Sequence, residues 1–193
     1  DLFNSQRPVV GFNVNSYVDA FVRKDGHTFG RDNLVELYAQ TVDKTIEELG
    51  VDVVFVETQH MDMRIACEVL AKITAKTHVR MISNKKYNYH ELCAVLHRCE
   101  LFVGMRTHSL ILSSAMGAPP VGIVTYPKNR GYMRTIGLEQ NLIEFTSLSV
   151  EAFMALIKNA FENRQDIRQT MVKAVAREKQ KAKDAATLLK RYL

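Results

Sequence analysis

Val53, Val54, Phe55 and Val56 are apolar on four successive residues, and Pro120-Val121-Gly122-Ile123-Val124 has no polar position at all. Successive side chains of a strand point to opposite faces. A strand with no polar alternate therefore has both faces covered, which is the condition of a parallel sheet between two layers of helix. Shorter runs of the same kind recur along the chain. The strands expected are Val9 to Val14, Val51 to Val56, His78 to Ile82, Leu101 to Val103, Val121 to Val124 and a short one near Asn141 to Ile143. Segments of helical period separate them, so the expected fold is α/β: a Rossmann-like three-layer domain with a mainly parallel sheet of about six strands.

Among the helices, Asn33 to Leu49 carries Leu34, Leu37, Tyr38, Thr41, Ile46 and Leu49 on one stripe and stops at Gly50. Asp62 to Ala75, Tyr89 to Arg98, Val150 to Asn163 and Asp166 to Tyr192 read likewise. Ser109 to Met116 is short and nearly all apolar, so it belongs inside the fold. Tyr126 to Tyr132, with its Pro and Gly, reads as a loop. At 193 residues, with no repeat and no low-complexity tract, one domain is expected over 1–163, and a basic terminal helix over 164–193 that packs on it or on a further domain. The chain opens Asp1-Leu2-Phe3-Asn4 without an initiator Met and enters a strand almost at once, as a fragment or trimmed chain would.

The net charge is +5, yet nine Lys and Arg stand against three acids from Arg164 onward, so the remainder is close to neutral. The excess thus belongs to one terminal helix and not to the domain, so the chain is not read as a nucleic-acid binder. The basic helix reads first as a solvated face; an acidic partner, a second domain or peripheral contact with a membrane surface are its other uses. Cys67, Cys93 and Cys99 are odd in number and lie in helical segments, which suits a reducing, cytoplasmic setting without disulfides. No run approaches the length of a spanning helix, and the first residues lack the basic-then-apolar order expected of a signal peptide. No metal or cofactor is expected: His90, Cys93 and His97 share a helix face without a compact fourth ligand, the stretch around Asp19 and Asp25 is too sparse in oxygen ligands for calcium, and neither a Gly-rich dinucleotide fingerprint nor a P-loop occurs.

Ligands of open α/β sheets bind beyond the carboxyl ends of the strands. At one such end stands Leu101-Phe102-Val103-Gly104-Met105-Arg106-Thr107-His108-Ser109, and beyond the next strand comes Tyr126-Pro127-Lys128. A helix start offers unpaired N–H groups to an anion, Arg106 and Lys128 add cations, and His108 adds an imidazole able to move a proton. Asn13, Asn15 and Tyr17 follow the first strand and can reach the same mouth, although Asn is also a common turn residue. Glu57-Thr58-Gln59-His60-Met61-Asp62 follows the second strand, with His60 and Asp62 open to chemistry, although Asp62 reads first as the residue that starts a helix. The bland alternative is an internal ion pair for Arg106, a capping role for His108 and a surface place for Lys128.

Through Val103 to Ser109, Ala115-Met116-Gly117-Ala118-Pro119 and Tyr126-Pro127-Lys128, the chain resembles the polysaccharide pyruvyl transferase family. That family shows a strand ending in Gly, an Arg-x-His-Ser step, a small apolar helix, a Pro and then a Tyr-x-x-Lys or similar loop; Gly137-Leu138 fits its following turn. The organisation agrees along nearly the whole chain, while only Arg106 to Lys128 is specific.

The resemblance implies the C-terminal half of a glycosyltransferase-B-like enzyme, with an N-terminal domain that this chain lacks and that supplies an arginine in family members. Such enzymes, in exopolysaccharide or cell-wall biosynthesis, transfer pyruvate from phosphoenolpyruvate onto two hydroxyls of a saccharide, lipid-linked or nucleotide-linked among the options, as a ketal. His108 would then be the catalytic acid, Arg106 and Lys128 would hold phosphate and carboxylate, and Thr107, Ser109, Asn13 and Asn15 would assist binding. Two alternatives stand beside this. One is a glycosyltransferase domain that binds a nucleotide sugar in the same mouth; the other is a non-catalytic carbohydrate- or partner-binding domain in which Arg106, His108 and Lys128 do not converge.

Overall fold

In the computed structural model, strand β1 (Val9–Asn13) is buried over its whole length because it lies in the middle of the sheet, between β4 (Asp52–Glu57) and β6 (Cys99–Gly104). The structure describes residues 6–16, 21–22 (backbone only) and 28–189. Tyr17, Asp19, Asp25, Tyr192 and the first residues of the chain lie outside them. β5 (Val79–Ser83), β7 (Pro120–Val124) and β8 (Leu142–Glu144) complete a six-stranded sheet of order β5-β4-β1-β6-β7-β8, with every pair parallel. All six expected strands are present. A small antiparallel ribbon, β2 (Phe21–Val22) with β3 (Thr28–Phe29), is an addition that the sequence pattern did not announce.

Helices α1 (Arg31–Leu49), α2 (Met63–Lys72) and α6 (Val150–Glu162) pack together on one side of the sheet. Helices α3 (Tyr89–His97), α4 (Thr107–Ala115) and α5 (Pro127–Thr135) cover the other. The double cover explains why Val53, Val54, Phe55 and Val56 are all buried. The last helix, α7 (Arg164–Leu189), touches both α4 and α6 and buries Ile167, Met171 and Val175. Arg164 and Arg168 pair with Glu100, while residues 181–189 are all exposed.

Two details place the carboxyl edge. Parallel pairing sets Asn13 level with Gly104, and Gly104 level with Gly122, so the ends of β1, β6 and β7 stand side by side. A Cβ on Gly104 would fall 2.8 Å from the Phe102 ring and 3.1 Å from Leu110, so glycine alone lets the first turn of α4 fold back this closely onto its own strand.

One expectation fails: residues from Pro127 onward form helix α5 and not a loop. Proline is favoured in a helix's first turn, where its missing N–H is not needed. The helix is then held by a tertiary anchor: the Asn129 amide donates to the carbonyls of Met105 and Ile123, both at 2.8 Å. α4 is also less apolar in effect than its composition suggests. Its buried side carries Ser109, Ser113 and Ser114, small enough for close packing, while Ile111 is partly exposed.

Candidate functional site

The ends of β1, β4, β6 and β7 surround a recess of about 40 Å³ that opens to solvent. Arg106, Thr107 and His108 enter it from the start of α4, and Tyr126 and Lys128 from the start of α5; Asn15, Thr58, Gln59 and Met105 complete the wall. The three expected basic residues therefore converge. Among the described residues no carboxylate lines the recess.

Both helix starts lack a side-chain cap: Arg106 and Tyr126 occupy the capping positions and cap nothing. Helices α3 and α6, which begin away from the recess, are capped by Asn88 and Ser149. In α4 the first closing bond is Leu110 N–H to Arg106 C=O, and the N–H groups of Thr107, His108 and Ser109 have no acceptor among the described residues. Unsatisfied first-turn N–H groups carry the positive end of the helix dipole. The α4 start thus sets free N–H groups beside three basic side chains, while in α5 Pro127 has no N–H to offer and the Asn129 N–H closes onto the Tyr126 carbonyl at 3.1 Å.

His108 is exposed and has no hydrogen-bond partner among the described residues, so its imidazole caps no carbonyl. Lys128 is exposed as well; its Nζ lies 5.7 Å from the centre of the Tyr126 ring and meets no carboxylate among the described residues. Thr107 donates its hydroxyl to the Asn129 side-chain oxygen, which ties α4 to α5 at the mouth.

Arg106 is a different case. It lines the recess, and it is also ion-paired: Nε donates to Asp62 Oδ2 at 2.8 Å and Nη2 to Asp62 Oδ1 at 2.7 Å. Asp62 is completely buried; it stands at the start of α2 as expected, but its side chain caps nothing there and instead takes two further hydrogen bonds from the N–H and hydroxyl of Ser16, at 2.9 and 2.8 Å.

Beneath this pair lies Glu57, fully buried, accepting from the Asn13 amide at 2.7 Å and from the Val14 N–H at 3.3 Å. Burial pushes the Glu57 carboxyl well above the usual carboxylate range and the nearby charge of Asp62 adds to this, against the pull of its two hydrogen bonds and of Arg106. Burial likewise raises the Tyr38 phenol, which donates to the Asn13 carbonyl.

Asn13 and Ser109 consequently lie below the recess and not in it. Asn13 is wholly buried, and its side-chain oxygen accepts the Arg106 N–H at 3.3 Å, so it fixes the start of α4. The Ser109 hydroxyl is spent on Thr58 at 2.9 Å, which leaves only its backbone N–H for the mouth. Asn15 keeps its place in the wall. Thr58 and Gln59 precede the positions singled out in their segment, His60 and Asp62; Glu57 and Asn129 were not anticipated, since Glu57 meets Asn13 and Val14, 44 and 43 residues away, and Asn129 is tied to Met105, 24 residues away. Among the described residues no three His, Cys, Asp or Glu side chains group as metal ligands, and no helix is long and apolar enough to cross a membrane.

The sequence pattern of the family described as polysaccharide pyruvyl transferase matches residues 13–126. The amylovoran biosynthesis protein AmsJ of Erwinia amylovora is 27% identical over 124 residues, covering 64% of this chain and 30% of AmsJ. The chain thus matches less than a third of that relative's length. Among solved structures, the E. coli ADP-heptose lps heptosyltransferase II superposes with a TM-score of 0.60 at 14% identity, over 83% of this chain and 48% of the other. The UDP-GlcNAc 2-epimerase of Neisseria meningitidis superposes with a TM-score of 0.56 at 8% identity, over 88% and 40% of the two chains. These likenesses establish the fold, the Rossmann-like α/β arrangement found in glycosyltransferase-B enzymes.

Proposed function

From the premise that this chain belongs to the polysaccharide pyruvyl transferase family, a family of polysaccharide biosynthesis, we propose that the recess binds phosphoenolpyruvate and passes its pyruvyl group to a saccharide as a ketal. The carrying observation is the make-up of the mouth: a guanidinium, an ammonium, an imidazole and two uncapped helix starts, with no carboxylate among the described lining residues. Phosphoenolpyruvate has two anionic groups close together, and donors held in place before it arrives orient it at little entropic cost.

His108 stands at the same mouth with its imidazole uncommitted. Its protonated form gives a proton to the methylene carbon of phosphoenolpyruvate, which becomes a methyl group and leaves C2 electron-poor. A sugar hydroxyl attacks C2 and its proton restores His108. A second hydroxyl then forms the second C2–O bond while the C2–O bond to phosphate breaks, and its proton departs with the phosphate. Lys128 and the helix starts steady the negative charge that gathers on the leaving phosphate. The acceptor is a saccharide, free, lipid-linked or nucleotide-linked, and the basic face of α7 suits a negatively charged surface nearby.

Replacing His108 by Ala in the protein that carries this chain is expected to abolish acceptor-dependent phosphate release while phosphoenolpyruvate binding persists; near-normal turnover would contradict the reading. A nucleotide-sugar site is the second reading, favoured by the fold shared with the heptosyltransferase. It requires binding of nucleoside diphosphates and indifference to phosphoenolpyruvate.

A further inference from the structure

We propose that Asp62 is a positioning residue for phosphoenolpyruvate binding, an inference that rests on the reading above: it grips the inner edge of the Arg106 guanidinium and leaves only the outer edge for the anion. The guanidinium has five N–H donors in a rigid plane. Asp62 takes one from Nε and one from Nη2. Nη1 and the second N–H of Nη2 meet no acceptor among the described residues, and the group lines the recess.

The grip is built to hold. Asp62 has no exposure, and its two oxygens accept four hydrogen bonds, two from Arg106 and two from Ser16. It thereby joins three segments: the turn after β1, the turn after β4 and the start of α4. An anion that took the Nε–Nη2 edge from Asp62 would strand a buried carboxylate, which costs more than that contact gains. Arg106, at 21% side-chain exposure, is the half of the pair that reaches solvent. The arginine therefore meets the anion only end-on, through Nη1 and the second N–H of Nη2, beside the α4 N–H groups and Lys128, with its side-on edge held by Asp62. Asp62 itself does not line the recess.

The test is steady-state kinetics on the protein that carries this chain, for Asp62→Asn, Arg106→Lys and the double variant. Asp62→Asn is expected to raise the KM for phosphoenolpyruvate about ten-fold, the size of one charge-assisted hydrogen bond, with kcat within about three-fold. The double variant is expected to be no worse than Arg106→Lys alone, because Asp62 acts through Arg106. A residue that served only the fold would lower the active fraction, and hence apparent kcat, without moving KM.

Nitrogen-15 NMR of the unaltered protein gives an answer even where Asp62→Asn does not fold. On titration with phosphoenolpyruvate, the Nη signals of Arg106 are expected to shift while its Nε–H signal stays where Asp62 holds it. An unmoved KM in Asp62→Asn, additive effects in the double variant, or displacement of the Nε–H signal by the ligand would each overturn the inference while leaving the functional reading intact. Failure of the unaltered protein to bind phosphoenolpyruvate would overturn the reading, and this inference with it.

Discussion

Two acidic side chains lie under one arginine, and burial divides their work. Asp62 is met by Arg106 and Ser16, whereas among the described residues Glu57 receives only the Asn13 amide and the Val14 N–H in a fully buried place. Its folded-state carboxyl titrates above the ordinary 4.5, so the folded protein holds a proton there that the unfolded chain has released. The stability tied to that proton is fully present below pH 4.5 and declines as pH rises from 4.5 toward the raised folded value. Glu57→Gln removes the titrating group at nearly the same size. Relative to the unaltered chain, the variant is expected to gain stability between pH 5 and pH 8, read from urea midpoints at both; an unchanged difference would show that Glu57 stays ionised in the fold.

Within single elements, α5 shows how a tertiary anchor can decide local structure. Pro127, Asn129 and Gly131 each favour a turn on local grounds, and together they read as a loop. Asn129 is instead completely buried, with its amide on two strand-end carbonyls and its oxygen receiving the Thr107 hydroxyl. Asn129→Ala leaves the Met105 and Ile123 carbonyls short of a donor. It is expected to cost about 2–4 kcal/mol in urea unfolding and to weaken binding at the recess, since Lys128 sits in the turn that Asn129 pins. A loss within about 0.5 kcal/mol would mean that water replaces the amide.

At the scale of the whole molecule, the sheet was legible because six apolar runs need no knowledge of their neighbours: burial on both faces is written into each one. The convergence of Arg106, His108 and Lys128 was legible for a related reason, as residues at adjacent strand ends must meet. Asp62 was not, because its partners Ser16 and Arg106 are 46 and 44 residues away and a lone Asp before a helix reads first as a cap. Asn13 and Ser109 fall at the right edge, yet their side chains turn inward to Glu57 and Thr58, which strand ends alone do not decide.

The basic terminal helix follows the same logic. The α7 side chains that are buried, Ile167, Met171 and Val175, and those that bond the domain all precede residue 181, so removing residues 181–193 is expected to change the unfolding free energy by less than about 1 kcal/mol, exposed ion pairs such as Lys181 with Glu178 adding little. A loss of several kcal/mol would show that this end of α7 supports the fold.

What enters the mouth decides the reading. A thermal-shift titration of the protein with phosphoenolpyruvate, set against ADP and UDP, addresses this directly, because a ligand that binds only the folded state stabilises it by about 2.7 kcal/mol at a hundred times its Kd. A saturable rise in Tm with phosphoenolpyruvate and none with either nucleotide is expected. A rise with ADP or UDP and none with phosphoenolpyruvate would contradict pyruvyl transfer and assign the recess to a nucleotide sugar.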